Sequence, residues 1–452
     1  MKKNPNVILI TIDDMRADRL SCNGYHRNTT PFIDSLANQG HLFKQNVANG
    51  TTSWPSFSSI MTSVYPMLFG GYADLSPKRK TIAEVVKSLG YHTLAFQCSP
   101  YLKYTKGYER GLDEIDFMDP SFLWRLMRKL RNTMGYYTYK DFGITADQVN
   151  KSVILDLKDL AKSSNPFFLW LYYLELHYPL IPHKDVQPHF MDNTMGYKEI
   201  FNFHKRILHN TERNSEEDLK ILSDIYDSSI LFLDKQIENF IGQLKQVGLY
   251  DNTYIIIASD HGEKMGERDG MVGHTSEMYE ELIRVPLIII GPDIQHNEIN
   301  RLVSNLDIGP TIVDIIGSQP ESAFMGNSVF NSETKTGIDH GYFIEISHKK
   351  SFTFDLQELV IAYRSEEWKY IWEKKTGLRQ LYNLKNDPGE KNNVIGSAGE
   401  VEKELKSILD KHLKEIETKP LDELNGKEKS SNSADDLDEK IKKELKELGY
   451  LD

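Results

Sequence analysis

The sequence predicts an α/β fold: a large, mainly parallel mixed sheet flanked by helices, with a small antiparallel sheet in a C-terminal subdomain. Three observations carry that expectation. The segments 7–12, 167–174 and 254–258 are apolar without alternation, the mark of strands covered on both faces. Strand-like and helix-like segments then alternate along the first 340 residues, which is the periodicity of βα units. Beyond about residue 340 the pattern changes to short alternating stretches at 341–346, 359–364, 369–373 and 380–384, which predict antiparallel pairing. The expected organisation is a main domain over 1–340, a small subdomain over 341–419, and a polar linker with an amphipathic helix over 420–452.

In chain order, the first strand stops abruptly at two adjacent carboxylates, Asp13 and Asp14. Thr30 and Pro31 open a helix that ends before Gly40. Residues 49–66 are rich in Ser and Thr. A short helix over 81–89 stops at Gly90, and 91–96 reads as the next strand. A basic, aromatic insertion occupies 120–140, either a lid or rim over a substrate or a surface helix with solvated cations. The strand at 167–174 ends at Glu175, His177 and Pro179. A long helix runs from Ser215 as N-cap to Gly248, its buried stripe set by Leu222, Ile225, Ile230, Leu233 and Ile237. Strand 254–258 leads into Asp260, His261 and a turn glycine, Gly262; a strand at 285–290 and a helix at 307–316 follow. Helical residues 400–416 should pack on the small sheet. Residues 420–435 are polar and Ser-rich, and Leu437, Ile441, Leu445 and Leu448 mark a last helix.

Composition narrows the function classes. The 452 residues carry a net charge of -12 with pI ≈ 5.7, which disfavours a general nucleic-acid binder. Two cysteines, Cys22 and Cys98, imply no disulfide framework. The lysines before the first apolar run imitate a signal peptide, but the run is short, ends in two acids and lacks a small-residue cleavage site. No apolar stretch is long enough to span a bilayer. A soluble, cytoplasmic protein with neither a membrane nor a nucleic-acid partner is expected; the sequence does not encode its oligomeric state.

The chemistry concentrates at strand ends, where open α/β sheets bind ligands. Adjacent carboxylates there are caps for the next helix, or they repel one another until a cation neutralises them. The second strand ending in Asp260 and His261 repeats the design, so the two ends look like halves of one metal site. In the segment TTSWPSFSSIMT, Ser53 falls at a loop-to-helix junction, where a helix N-terminus and a nearby cation both favour an oxyanion.

By these residues the chain resembles the sulfatases of the alkaline-phosphatase superfamily over nearly its whole length. The similar elements are NVILITIDDMRADRL, TTPFIDSLANQG, the S-x-P-S at Ser53, the Gly107–Asp116 phrase, ELHYP, NTYIIIASDHGE, MYEELIRVPLIIIGP, SNLDIGPTIVDIIG and LYNLKNDPGEKNNV. The resemblance implies that residues 1–340 form the catalytic domain. It implies one divalent cation held by Asp13, Asp14, Asp260 and His261, with Ser53 as nucleophile and further ligand. Mostly oxygen donors favour Ca²⁺, with Mg²⁺ and Mn²⁺ as alternatives; His261, where many sulfatases have asparagine, shifts weight toward Mn²⁺ or Zn²⁺. His177 matches the histidine that contacts ester oxygens or the leaving group, and His274 stands near a substrate-binding lysine position. His183, His340 and His348 are read as structural.

Two departures bear on mechanism. Sulfatases carry formylglycine within C/S-x-P-x-R, and here Phe57 replaces the arginine; the GKWHLG-like segment is replaced by AFQCSPYL. The expected function is metal-dependent hydrolysis of a sugar or aryl sulfate ester. The alternatives are a phosphodiesterase or phosphoglycerol-type transferase using unmodified Ser53, and an inactive glycan-binding member. The complete cation site argues against the last.

Overall fold

The computed structural model describes residues 4–70, 74–99, 102–103, 105–118, 144–181, 183–208, 210, 213–331, 337–347 and 355–418. The basic stretch at 120–140, His348 and the linker and helix expected over 420–452 lie outside the described residues.

The continuous apolar runs form the middle of the main sheet. Its strands are β1 (Asn6–Ile12), β2 (His41–Val47), β3 (His92–Gln97), β4 (Glu114–Phe117), β5 (Phe167–Tyr173) and β6 (Thr253–Ser259). A two-stranded ribbon, β7 (Lys264–Met265) with β8 (Val272–Gly273), precedes the last two sheet strands, β9 (Leu287–Ile290) and β10 (Asn297–Ser304). The eight-stranded order is β10-β2-β9-β6-β1-β5-β3-β4. Only β9 runs antiparallel to its neighbours, so the sheet is mixed and mainly parallel, as expected. β1 lies centrally between β5 and β6, which explains why its seven residues are all buried.

The helices include α1 (Pro31–Ala37), α2 (Ser53–Thr62), α3 (Ile82–Ser88), α4 (Ala146–Leu160), α5 (Tyr197–Leu208), α6 (Glu216–Gln246), α7 (Glu280–Ile283), α8 (Ile308–Ile315) and α9 (Glu400–Thr418). Alternation along β1 sorts them into two layers. Ile8, Ile10 and Ile12 face Ile33 of α1, Val149 and Val153 of α4, and Leu222, Ile225 and Leu233 of α6. Val7 and Leu9 face Phe57 and Ile60 of α2, Val86 of α3, and Ile308 and Ile312 of α8. Each fully buried side chain of this kind contributes roughly 1.5–3 kcal/mol.

Capping follows the sequence in part. Ser215 accepts a hydrogen bond from the Asp218 amide, and Thr81 forms a reciprocal capping box with Glu84. Thr30 precedes α1 as expected but does not cap it: its hydroxyl donates to Asp34 Oδ1 at 2.9 Å. The free amides of Phe32 and Ile33 instead donate to Asp234 of α6 at 2.9 and 2.8 Å. A carboxylate from the packed helix satisfies both donors, so Thr30 is released for another bond.

The small sheet is antiparallel, with β11 (Gly341–Ser347), β12 (Leu359–Ser365), β13 (Trp368–Glu373) and β14 (Arg379–Asn383) in sequential order. Leu405, Leu409 and Ile416 of α9 cover one face through Tyr363, Tyr370 and Leu381. The other face, with Ile344, Val360 and Ala362, packs on Met278, Leu282 and Ile283 of the main domain. No helix among the described residues is long and apolar enough to cross a membrane.

Candidate active site

The site grows from the register of three central strands. Ile12 pairs with Tyr173 on one side and with Ser259 on the other, so Asp13 and Asp260 leave the sheet side by side. The backbone continues the ladder for one more step: the Asp13 amide donates to Tyr173 O at 2.9 Å and the Asp260 amide to Ile12 O at 3.3 Å. Asp14 then turns sharply, at φ 58°, and its amide donates to Asp260 Oδ1 at 3.3 Å. Left-handed backbone at a non-glycine residue is costly, and aspartate is among the residues that tolerate it best. On the other strand, a Cβ at Gly262 would stand 2.2 Å from Glu281 O, so only glycine lets the turn carrying His261 pass α7.

His261 is the meeting point. Its Nδ1 lies 2.9 Å from Gly262 O, which makes Nδ1 the donor and turns Nε2 toward the acids. Nε2 is 3.6 Å from both Asp13 Oδ1 and Asp260 Oδ2, and 3.3 Å from Ser53 Oγ. Ser53 opens α2, and the helix N-terminus adds partial positive charge at its hydroxyl. Asp13, Asp14, Asp260 and His261 are wholly buried, and Ser53 is 3% exposed.

Asp13 Oδ1 and Asp260 Oδ2 are buried without a hydrogen-bond donor. Such orphaned carboxylate oxygens, converging with an imidazole nitrogen, suit a divalent cation. Ligand atoms of Asp13, Asp260 and His261 lie within 4.8 Å of one another, as do those of Asp14, His261 and His274. Asp14 therefore faces the second group: its Oδ1 lies 3.0 Å from His261 Nδ1 and 3.3 Å from His274 Nδ1.

The electrostatics follow from burial and crowding. Burial, then Asp13, pushes the Asp260 carboxyl well above its ordinary value. For His261, burial disfavours the charged form, but Asp260 and Asp14 outweigh it and raise the imidazole to about 10. For His274 burial is likewise overcome, by Asp14 and Glu263, and its pKa is raised well above 6.5. Burial also raises Glu263, whose Oε2 lies 3.0 Å from His274 Nδ1.

His177 joins from the end of β5, its ring 5.8 Å from that of His274, with Nδ1 held 2.7 Å from the Tyr178 carbonyl. Thr51 donates to Thr275 O at 2.7 Å, tying the Ser53 loop to the His274 loop. Of the seven residues singled out by sequence, Asp13, Asp14, Ser53, Asp260, His261 and His274 are brought together, and the seventh, His177, lies beside them. Among the histidines read as structural, His183 pairs with Glu175 at 2.5 Å and stacks on Phe232, and His340 lies 3.3 Å from Leu302 O.

Two participants escaped the sequence reading. Tyr172 donates its hydroxyl to Asp13 Oδ2 at 2.6 Å, and Glu263 orients His274. The only signal for Tyr172 was a tyrosine at the end of an otherwise apolar strand. For Glu263 it was an acid three residues after Asp260. Phe57 is fully buried, its ring 4.6 Å from that of Tyr172 and 5.8 Å from that of Trp170, so this position supplies packing and no charge.

Comparison with known proteins gives the family. The profile of the family described as Sulfatase matches residues 5–318, and that of N-sulphoglucosamine sulphohydrolase, C-terminal, matches residues 274–419. An arylsulfatase of Clostridium perfringens is 24% identical over 490 aligned positions, covering 96% of this chain and 97% of that protein. Arylsulfatase K of Bos taurus is 25% identical, covering 91% and 81%. A structure solved in complex with its substrate, D-glucosamine-2-N,6-O-disulfate, superposes with a TM-score of 0.71 at 20% identity, covering 94% of this chain and 100% of that one. A phosphonate monoester hydrolase of Agrobacterium radiobacter gives a TM-score of 0.69 at 20% identity, covering 92% and 96%. At that identity the two structures speak for the fold.

Proposed function

This chain belongs to the sulfatase family and is a sulfuric ester hydrolase, and we propose that it cleaves a sugar or aryl sulfate ester at residue 53. The observation that carries this reading is the position of Ser53 Oγ at the start of α2, 3.3 Å from a histidine nitrogen that also faces two orphaned carboxylate oxygens.

In this reading Asp13, Asp14, Asp260, His261 and the residue-53 side chain hold one divalent cation. The oxygen-rich donor set favours Ca²⁺, and His261 admits Mn²⁺ or Zn²⁺. A bound cation would neutralise the acids and stabilise charge developing on the ester oxygens. The chain's own residues do the rest. Tyr172 fixes the Asp13 carboxylate through Oδ2, leaving Oδ1 facing His261 Nε2. His274, kept protonated by Asp14 and Glu263, donates to an ester oxygen, and His177 serves the leaving group. The helix N-terminus stabilises the oxyanion of residue 53.

Residue 53 reacts as formylglycine in this proposal. One specific observation favours a second reading. Phe57 sits in the core where the family motif has arginine, which supports unmodified Ser53 and hence a phosphodiesterase or phosphoglycerol-type transferase. The mass of the tryptic peptide containing residue 53 separates them: it is two hydrogens lighter after conversion. Rates on 4-nitrophenyl sulfate, compared with phosphate mono- and diesters at several metals, test the activity itself.

The catalytic residues all fall within 1–340, and in the proposed division the 341–419 unit braces the wall behind α7. A cytoplasmic location is supported by the two free cysteines, Cys22 and Cys98, whose thiols burial pushes up and makes unreactive. Cell fractionation tests it.

A further inference from the structure

A pocket separate from the cation site opens where α6 meets the chain that leads into α1. Its volume of about 510 Å³ falls within the range of small-molecule sites, roughly 300–1,000 Å³. α6 contributes Leu231 and Lys235, which are one turn apart and so stand on one face of the helix. The approach to α1 adds Arg27, Asn28 and Pro31, and the turn at Gln187–His189 brings in His189 and Phe190.

The helix itself sets the distance from the chemistry. Tyr226 donates to Asp14 O at 2.5 Å, which marks the stretch of α6 next to the cation site. Leu231 and Lys235 lie about 7 and 13 Å further along the axis, at a rise of about 1.5 Å per residue. No residue lining this pocket belongs to the active site.

The lining is apolar with one uncommitted cation. Arg27 is engaged: its Nη1 lies 2.7 Å from Asp224 Oδ1 and 2.8 Å from Asp227 Oδ2, and its guanidinium stands 5.7 Å from the centroid of the Phe190 ring. Those carboxylates also pair with Lys220 and Arg19, so three cations face two anions behind the pocket and no negative charge is left over. Lys235 differs. It is half-buried, and no carboxylate among the described residues pairs with it. Asp234, its neighbour in sequence, is turned to the amides of Phe32 and Ile33. An ammonium group partly withdrawn from water, with no counter-charge, favours an anion beside it. Asn28 and His189 are exposed and offer hydrogen-bonding groups at the rim.

We propose that this pocket is a second ligand site for a small organic anion carried on a ring, an aromatic carboxylate or sulfonate. The ring packs on Phe190, Leu231 and Pro31, and the anionic group pairs with Lys235. The site does not depend on the chemistry at residue 53.

4-Fluorobenzoate, followed by its fluorine NMR signal against the calcium-loaded full chain at about pH 7, probes the pocket with carboxylate and ammonium both charged. Saturable binding with a Kd of about 1 mM or tighter is expected. Lys235→Met should weaken it about tenfold, the loss of one charge-assisted hydrogen bond. Leu231→Trp, which fills the pocket from α6, should weaken it at least as much. 4-Fluorobenzylamine, the same ring with the opposite charge, should not compete, and chelation of the cation should leave the affinity unchanged. Absence of saturable binding up to about 10 mM would overturn the proposal. So would binding indifferent to Lys235→Met and Leu231→Trp, competition by 4-fluorobenzylamine, or binding that disappears with the cation, which would put the ligand in the catalytic site. No turnover is read, so a failure here leaves the proposed function standing, and a chain without sulfatase activity leaves this pocket standing.

Discussion

His261 shows how a single residue can organise two groups of acids. Its Nδ1 is committed to Gly262 O and Asp14, which leaves Nε2 facing Asp13, Asp260 and Ser53. Removing either strand-end acid should leave the others under-coordinated around any cation. Asp13→Ala is expected to lower bound calcium at least tenfold, read by elemental analysis of the desalted protein. Full occupancy in that variant would remove Asp13 from the ligand set. The strand-end acids and Ser53 were legible because their chemistry interrupts long apolar runs or opens a helix. Tyr172 was not, since an apolar strand hides where one hydroxyl reaches.

At the scale of elements, α2 carries the reacting residue at one end and needs support at the other. Arg79 is fully buried and supplies it: Nε donates to Thr62 Oγ1 at 3.2 Å, and Nη2 to Val64 O at 2.5 Å and Tyr65 O at 3.2 Å. A cation at a helix C-terminus also complements its dipole. Arg79→Met should leave those acceptors buried and unpaired, lowering unfolding free energy by roughly 2–4 kcal/mol in urea titration. A loss below about 1 kcal/mol would mean that water replaces the guanidinium. The cap of α1 makes a pH prediction. Burial, against two backbone donors, raises Asp234 to about 7. Because the folded pKa lies above the unfolded one, the contribution of Asp234 is full below about pH 4 and is lost as pH rises through about 7. Asp234→Asn should flatten that part of the stability–pH curve; an unchanged slope would place the titration elsewhere. Strands β2 and β10 went unread because their sequences, HLFKQNV and NEINRLVS, mix polar and apolar residues at and beside the sheet edge. The four strands of the small sheet, by contrast, alternate cleanly between two buried faces.

Across the whole molecule, the small sheet is locked to the catalytic unit by a buried ion network. Lys369 of β13 reaches Glu390 at 2.5 Å and Glu280 of α7 at 3.0 Å, while Arg364 reaches Glu280 at 3.4 Å. Breaking a buried pair on one side typically costs about 3–5 kcal/mol, because the remaining charge is stranded. Lys369→Met should destabilise by that amount in denaturant unfolding; a neutral effect would show that Glu390 simply takes up a proton. The same lock fixes α7, and α7 sits against the turn that holds His261. The most direct measurement of the central claim is sulfate release from 4-nitrophenyl sulfate by the full chain, with calcium, after chelation, and in Ser53→Ala. Cation-dependent turnover that falls by at least about 10³ in Ser53→Ala, with calcium retained, is the predicted result. Near-normal rates in Ser53→Ala, or turnover indifferent to the cation, would contradict it.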